Sequence, residues 1–309
     1  DKRLFLTSRL QENCYKQRQP STDMQHQITD RRITQACRLI EQSIKGPVDY
    51  TAIADVLGLS VYRFHHRFAD ELGETPGEYL RRIRLDTAAL RLRLTRDHIG
   101  QCAADVGYDS QPSFNKAFAR HFGLAPTEFR RACEGRSFGS IETSPPARVK
   151  FSYSRGFTVL ARRYVGAPCF AADYWRDFLW HLPPELERQH RLFIGLLRDD
   201  MYLTPPGQCR YDCCVSVTEG DLPRLKDRWL WPHFALLSLP AGRCASITCT
   251  NSRAGIDVNN FAQSLNWAYS CLFDVWMTQR RHRLAGEYVI EVYSAPPVKP
   301  LPPDLKCTL

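Results

Sequence analysis

The sequence predicts an all-α domain carrying two helix-turn-helix motifs, followed by an α+β domain of pseudo-symmetric strand-helix-strand-strand order. Three observations carry that expectation. A fifty-residue internal repeat runs through the first part of the chain, apolar periodicity changes from helical to alternating in the second, and a polar Gly/Ser/Pro stretch separates them. At 309 residues the chain is long enough for about two domains, each with its own core.

Residues 1–28 are expected to be a disordered tail, and "DKRLFLTSRLQENCYKQRQ" holds no sustained apolar run of the kind a secretory signal needs. The repeat follows, in a domain spanning 29–134. "GETPGEYLRR" (73–82) and "GLAPTEFRRA" (123–132) carry Gly, Pro, Glu and an aromatic residue at the same offsets, fifty residues apart. Phe64 and Phe68 match Phe114 and Phe118 at that offset, and "ADVLG" (54–58) matches "AADVG" (103–107) one residue short of it. Each copy therefore predicts a short helix closed by Gly, a tight turn, and a second helix opening on Ser60 or Ser110 (or Asp109), whose oxygens can take up free amide donors. In the second helices the phenylalanines face the core. Tyr62, His65 and His66 share another face, as do Pro112, Asn115 and Lys116.

After Pro76 a helical pattern runs to about Thr95 with two apolar stripes, Leu80/Ile83/Leu90/Leu94 and Leu85/Ala89/Leu92. A helix apolar on two sides suits a spacer between two packed modules. About 20 residues at 1.5 Å each give about 30 Å, close to one turn of B-DNA. The spacing thus predicts two DNA-reading heads. The net charge of +9, spread over both halves, favours an anionic partner. Six arginines lie between Arg81 and Arg96 against one acid, Asp86, which by itself is also the pattern of a solvated helix face.

"GRSFGSIETSPP" marks a linker at 135–147, and the second domain is expected over 148–309. Strands are predicted at 157–166, 211–218, 243–250 and 288–295, with helices near 171–181 and 261–277. In "YVIEVY", alternation sets Val289, Glu291 and Tyr293 on one strand face. Glu291 is then either solvated or a partly buried carboxylate in an aromatic-lined cavity. The twelve cysteines include no CxxC, so they are read as reduced thiols in a cytoplasmic protein, with "CRYDCC" (209–214) as their densest cluster. No stretch is apolar enough for a membrane span. No Ser-His-Asp, paired-carboxylate or metal-ligand constellation is legible, so no catalytic residue, metal or cofactor is expected.

"RLDTAALRL" (84–92) with "IGQCAADVGYDSQPSFNKAFARHFGLAPTEFRR" (99–131) resembles the DNA-binding domain of AraC/XylS-type transcription regulators of the Rob subgroup. That resemblance implies a monomer placing both recognition helices in successive major grooves of an asymmetric double-stranded DNA site, as an activator or a repressor, with RNA polymerase as partner. Base-facing candidates by position are Tyr62, His65 and His66 in the first head, and Gln111, Ser113, Asn115 and Lys116 in the second. Arg63 and Arg67 are placed on phosphates or as braces. "LTPPGQCRYDCCVSV" (203–217) with "IEVY" (290–293) resembles GyrI-like effector domains. There the resemblance implies a small, cationic amphipathic ligand at Glu291, with Tyr293, Trp267 and Tyr164 lining the site. Where relatives carry His-x-Gly-Pro-Tyr, this chain has "YVGAPCF" (164–170). Two alternatives stand beside ligand sensing: a hydrolase using Glu291, and a domain that only docks protein partners.

Overall fold

The computed structural model describes residues 25–26, 28, 30–134, 149–167, 170–187, 191–226, 234–250, 265, 268–277, 289–298 and 306–308. The chain divides into two compact units. The first comprises residues 1–136 together with 199–208, and the second 137–198 and 209–309. Residues 199–208, expected within the second domain, thus cluster with the first. The expected linker at 135–147 lies outside the described residues. Of the expected disordered tail, Gln25–His26 form a short strand (β1) and Ile28 is buried.

Seven helices are described in the first unit: α1 (Arg31–Gln42), α2 (Tyr50–Val56), α3 (Val61–Leu72), α4 (Pro76–Leu94), α5 (Ile99–Asp105), α6 (Gln111–Phe122) and α7 (Pro126–Cys133). Local chemistry sets their ends. Asp49 accepts from the amides of Thr51 and Ala52, Ser60 from Arg63, and Ser110 from Ser113. Thr75 and Glu78 form a reciprocal capping box, and Pro76 opens α4 where no amide donor is needed. The second helix of each motif, α3 and α6, ends on a left-handed glycine, Gly73 (φ 70°) and Gly123 (φ 74°). Phe64, Phe68, Phe114 and Phe118 are fully buried, each contributing about 1.5–3 kcal/mol of apolar burial. The long helix α4 buries Leu80, Ile83, Leu85, Ala89, Leu92 and Leu94, so its second stripe is covered throughout and its first at all positions but Leu90, which is half-buried. Its 19 residues span about 28 Å.

In the second unit, β3 (Phe157–Gly166), α8 (Ala171–His181), β4 (Phe193–Leu197) and β5 (Arg210–Val217) form one strand-helix-strand-strand repeat. β8 (Thr248–Thr250), β9 (Val289–Tyr293) and β10 (Lys306–Thr308) supply the strands of the other, with a π-helical stretch at Cys271–Met277 in the place of its helix. The antiparallel order is β3-β5-β4-β9-β10-β8, with β6 (Phe234–Leu239) on the other side of β3. Each repeat thus has its strands in the order first-third-second, and the two second strands meet at the centre. The registers Leu197↔Tyr211 and Tyr293↔Cys307 are related by a shift of 96 residues, and the same shift carries Gly195 onto Glu291. A hairpin of β2 (Lys150–Ser154) and β7 (Gly242–Ser246) stands apart. The strand expected at 243–250 is therefore two, divided at buried Ile247. One sheet face buries Val159, Ala161, Ile194, Leu196, Cys214 and Leu239, and the opposite face carries Tyr164, Tyr211, Glu291 and Tyr293.

Candidate nucleic-acid interface and ligand site

With their phenylalanines turned inward, α3 and α6 leave matching faces outward. Tyr62 is 76% exposed, Arg63 and His66 are exposed, and Gln111, Ser113 and Lys116 are exposed on the second helix. His65 and Asn115, fifty residues apart, are both half-buried. His65 packs edge-on against Tyr50 and Phe64, and Tyr62 stands edge-on to His66, which hydrogen-bonds Asp70. Ser113 accepts from the Ser110 hydroxyl beside the helix N-terminus. The Asn115 Oδ1 atom is covered and has no hydrogen-bond partner among the described residues.

Arg67 is braced. Its guanidinium donates to Asp30, the N-cap of α1, at 2.7 Å. The Arg32 side chain donates to the same carboxylate, and these bonds hold Asp30 down at about 2. Arg63 is exposed on the same helix. Most of the basic run on α4 is internal rather than solvated. Arg82 forks onto Glu74, Arg84 donates to the carbonyls of Ile44 and Gly46, and Arg91 pairs with Asp105, while Arg96, beyond the end of α4, pairs with Glu134 at the surface. Arg81 remains exposed.

In the second unit, Glu291 is 3% exposed and accepts from three phenols: Tyr211 at 2.5 Å, Tyr269 at 2.6 Å and Tyr293 at 2.8 Å. Burial pushes its carboxyl above the ordinary value, with the three phenol bonds opposing. No basic side chain pairs with it among the described residues. Trp175 on α8 donates to the Tyr211 hydroxyl at 3.2 Å and lies edge-on to Tyr293. Gly195 makes the arrangement possible, because a Cβ there would overlap the Tyr211 hydroxyl and the Glu291 carboxylate. Tyr164 shares this sheet face but bonds Asp177 at 2.7 Å and stacks on Tyr174, which meets Tyr211 in turn, so Tyr164 itself makes no bond to Glu291. Trp267 lies outside the described residues.

Tyr211, Tyr269, Trp175 and Gly195 were missed by sequence reasoning. Alternation within "RYDCC" gave a weak signal for Tyr211, whose register partner is Tyr164. No metal-binding group of His, Cys, Asp and Glu occurs among the described residues.

Residues 53–132 match the helix-turn-helix domain family, and residues 149–309 match the family described as a GyrI-like small molecule binding domain. The chain is 28% identical over 183 residues to transcriptional regulator Rob of Salmonella typhimurium, covering 52% of this chain and 62% of that protein. It is 33% identical over 167 residues to the right origin-binding protein of Escherichia coli, covering 47% and 55%. With regulatory protein SoxS of Salmonella typhimurium it shares 35% over 91 residues, covering 29% of this chain and 85% of SoxS. The matches to the first two thus span less than two thirds of those proteins' length.

Proposed function

The chain belongs to the AraC/XylS family in its Rob type, an AraC-type helix-turn-helix domain followed by a GyrI-like small molecule binding domain, and from that premise we propose that it is a cytoplasmic transcription regulator reading DNA with two heads. As a monomer it sets α3 and α6 into successive major grooves of an asymmetric site. Tyr62, His65 and His66 read one groove. Gln111, Ser113, Asn115 and Lys116 read the other, Arg63 meets a phosphate, and Arg67 holds α3 to α1. RNA polymerase is the protein partner. The observation that carries this reading is the pair of outward faces at one fifty-residue offset, joined by a single 19-residue helix. Footprinting on fragmented genomic DNA tests it. The expected protection is asymmetric, about 20 base pairs long, with one protein per site. A palindromic footprint held by an obligate dimer would sink it.

The second half takes an apolar cation. A buried carboxylate without a basic partner among the described residues, ringed by Tyr211, Tyr269, Tyr293 and Trp175, favours a ligand that brings positive charge and aromatic surface together. Calorimetry with phenyltrimethylammonium and its uncharged isostere tert-butylbenzene separates the two contributions. Glu291→Gln is expected to weaken the cation far more than the neutral compound. Equal losses for both would remove Glu291 from the ligand site.

A further inference from the structure

Residues 199–208 sit in the first unit, although the chain on both sides of them, β4 and β5, belongs to the second. The segment is organised by its own chemistry. The Asp200 side chain accepts from the Tyr202 amide at 2.8 Å, its carbonyl accepts from the amides of Leu203 and Thr204, and Pro206–Gln208 form a 3-10 turn. From this turn three side chains meet the spacer helix α4. Asp200 pairs with Arg93, with the two side chains 7% and 4% exposed; the Tyr202 ring lies 5.6 Å from the Arg93 guanidinium; and the Thr204 hydroxyl, fully buried, donates to Asp86 at 3.2 Å.

Asp86 is where both heads converge. Its carboxylate lies 3.3 Å from His121 Nε2 near the end of recognition helix α6, and 3.6 Å from Arg82. Arg82 in turn forks onto Glu74 in the turn that leaves recognition helix α3. Glu74, Arg82, Asp86 and His121 thus form a chain of polar contacts running from one head across the spacer to the other, and Thr204 closes it. Buried charge pairs of this kind fix geometry, because breaking one leaves an uncompensated charge.

We infer that residues 199–208 are a positioning segment for two-groove DNA recognition: through Asp200 and Thr204 they fix the spacer helix, and with it the separation at which the two recognition helices meet DNA. The inference rests on the two-groove reading proposed above.

The test uses the full chain and a duplex recovered by the wild-type protein from a randomised library. Companion duplexes carry two inserted base pairs between the half-sites, which rotate one groove by about 70° relative to the other. The wild type is expected to bind the inserted duplex at least ~30-fold more weakly, since one head loses its groove. Asp200→Asn and Thr204→Val are expected to cut that discrimination by about fivefold or more while leaving binding to a single half-site within about twofold. Thr204→Ser, which keeps the hydroxyl, restores it. Variants that discriminate spacing as the wild type does would overturn the inference. So would loss of half-site binding in both, because the segment would then be a folding element only. A wild type indifferent to spacing would overturn the two-groove reading itself, and this inference with it.

Discussion

Both halves of the chain double a smaller motif, and they treat the two copies differently. In the helical half, each copy keeps the same buried phenylalanine pair and the same outward positions, occupied by Tyr62, His65 and His66 in one and by Pro112, Asn115 and Lys116 in the other. Both faces stay polar and open. In the sheet half, the matching positions have diverged completely: one carries the buried carboxylate of Glu291, the other Gly195. A motif doubled to touch a long repetitive partner needs both of its contact faces. A motif doubled to enclose one small molecule needs a single charged centre, and room for it.

The largest expected effect tests whether the helical copies are equal. Phe68→Ala and Phe118→Ala each remove a fully buried ring and should each cost about 3–5 kcal/mol in chemical denaturation. Similar costs, with either variant losing the two-groove site, would support equal heads. A variant that keeps the whole site would break the equality. In the sheet half, Gly195→Ala should be disproportionately costly for one methyl, about 1–3 kcal/mol, because its Cβ overlaps Tyr211 and Glu291. Adding Tyr211→Leu should recover much of the loss. A harmless Gly195→Ala would mean that the empty position is not required.

Base readout comes next. Tyr62→Ala and Asn115→Ala should each relax one or two base positions by about 1–3 kcal/mol, in different halves of the site. Selection from a random library reads this directly, and changes falling in the same half-site would undo the assignment of one head to each groove. A smaller effect is pH-dependent. Burial holds the Glu291 carboxyl above its ordinary 4.5, so the folded state binds that proton more tightly than the unfolded chain. Its stabilising contribution is therefore complete below about pH 4.5 and is lost as pH rises through the raised value. Melting curves of Glu291→Gln should gain roughly 2–4 °C on the wild type between those limits and neutral pH. A constant offset across pH would place the titration elsewhere. The smallest effect is that of Arg63→Ala, which should weaken all duplexes alike and reduce the salt slope by about one.

The helical half was largely legible because its signals are local. The caps Ser60 and Ser110, the closing glycines and Pro76 each act within a turn of where they stand. The exception was the basic run on α4, whose partners come from elsewhere: Asp105, Glu134 and, more than a hundred residues on, Asp200. Charge spacing alone carried no trace of them. In the sheet half, β3, β5 and β9 showed as alternating runs. β4 did not, because "FIGLL" is apolar throughout with a glycine at its centre, and β10 is only three residues long. With β4 unseen, no pattern could bring Tyr211 across two strands to Glu291. The carboxylate was visible in the sequence, and the phenols that hold it were not.

The facing of Gly195 and Glu291 also says something about why the two sheet repeats share one chain. Two separate copies joined across a two-fold axis would be isologous, with the same residue on both sides of the seam. Paired glutamates would compete for one proton in a buried space, and paired glycines would carry no charge at all. Covalent fusion is what permits one of each. The site is thus an asymmetry that a symmetric assembly of identical repeats could not encode, and its single negative charge is a property of the linkage between repeats as much as of either repeat alone.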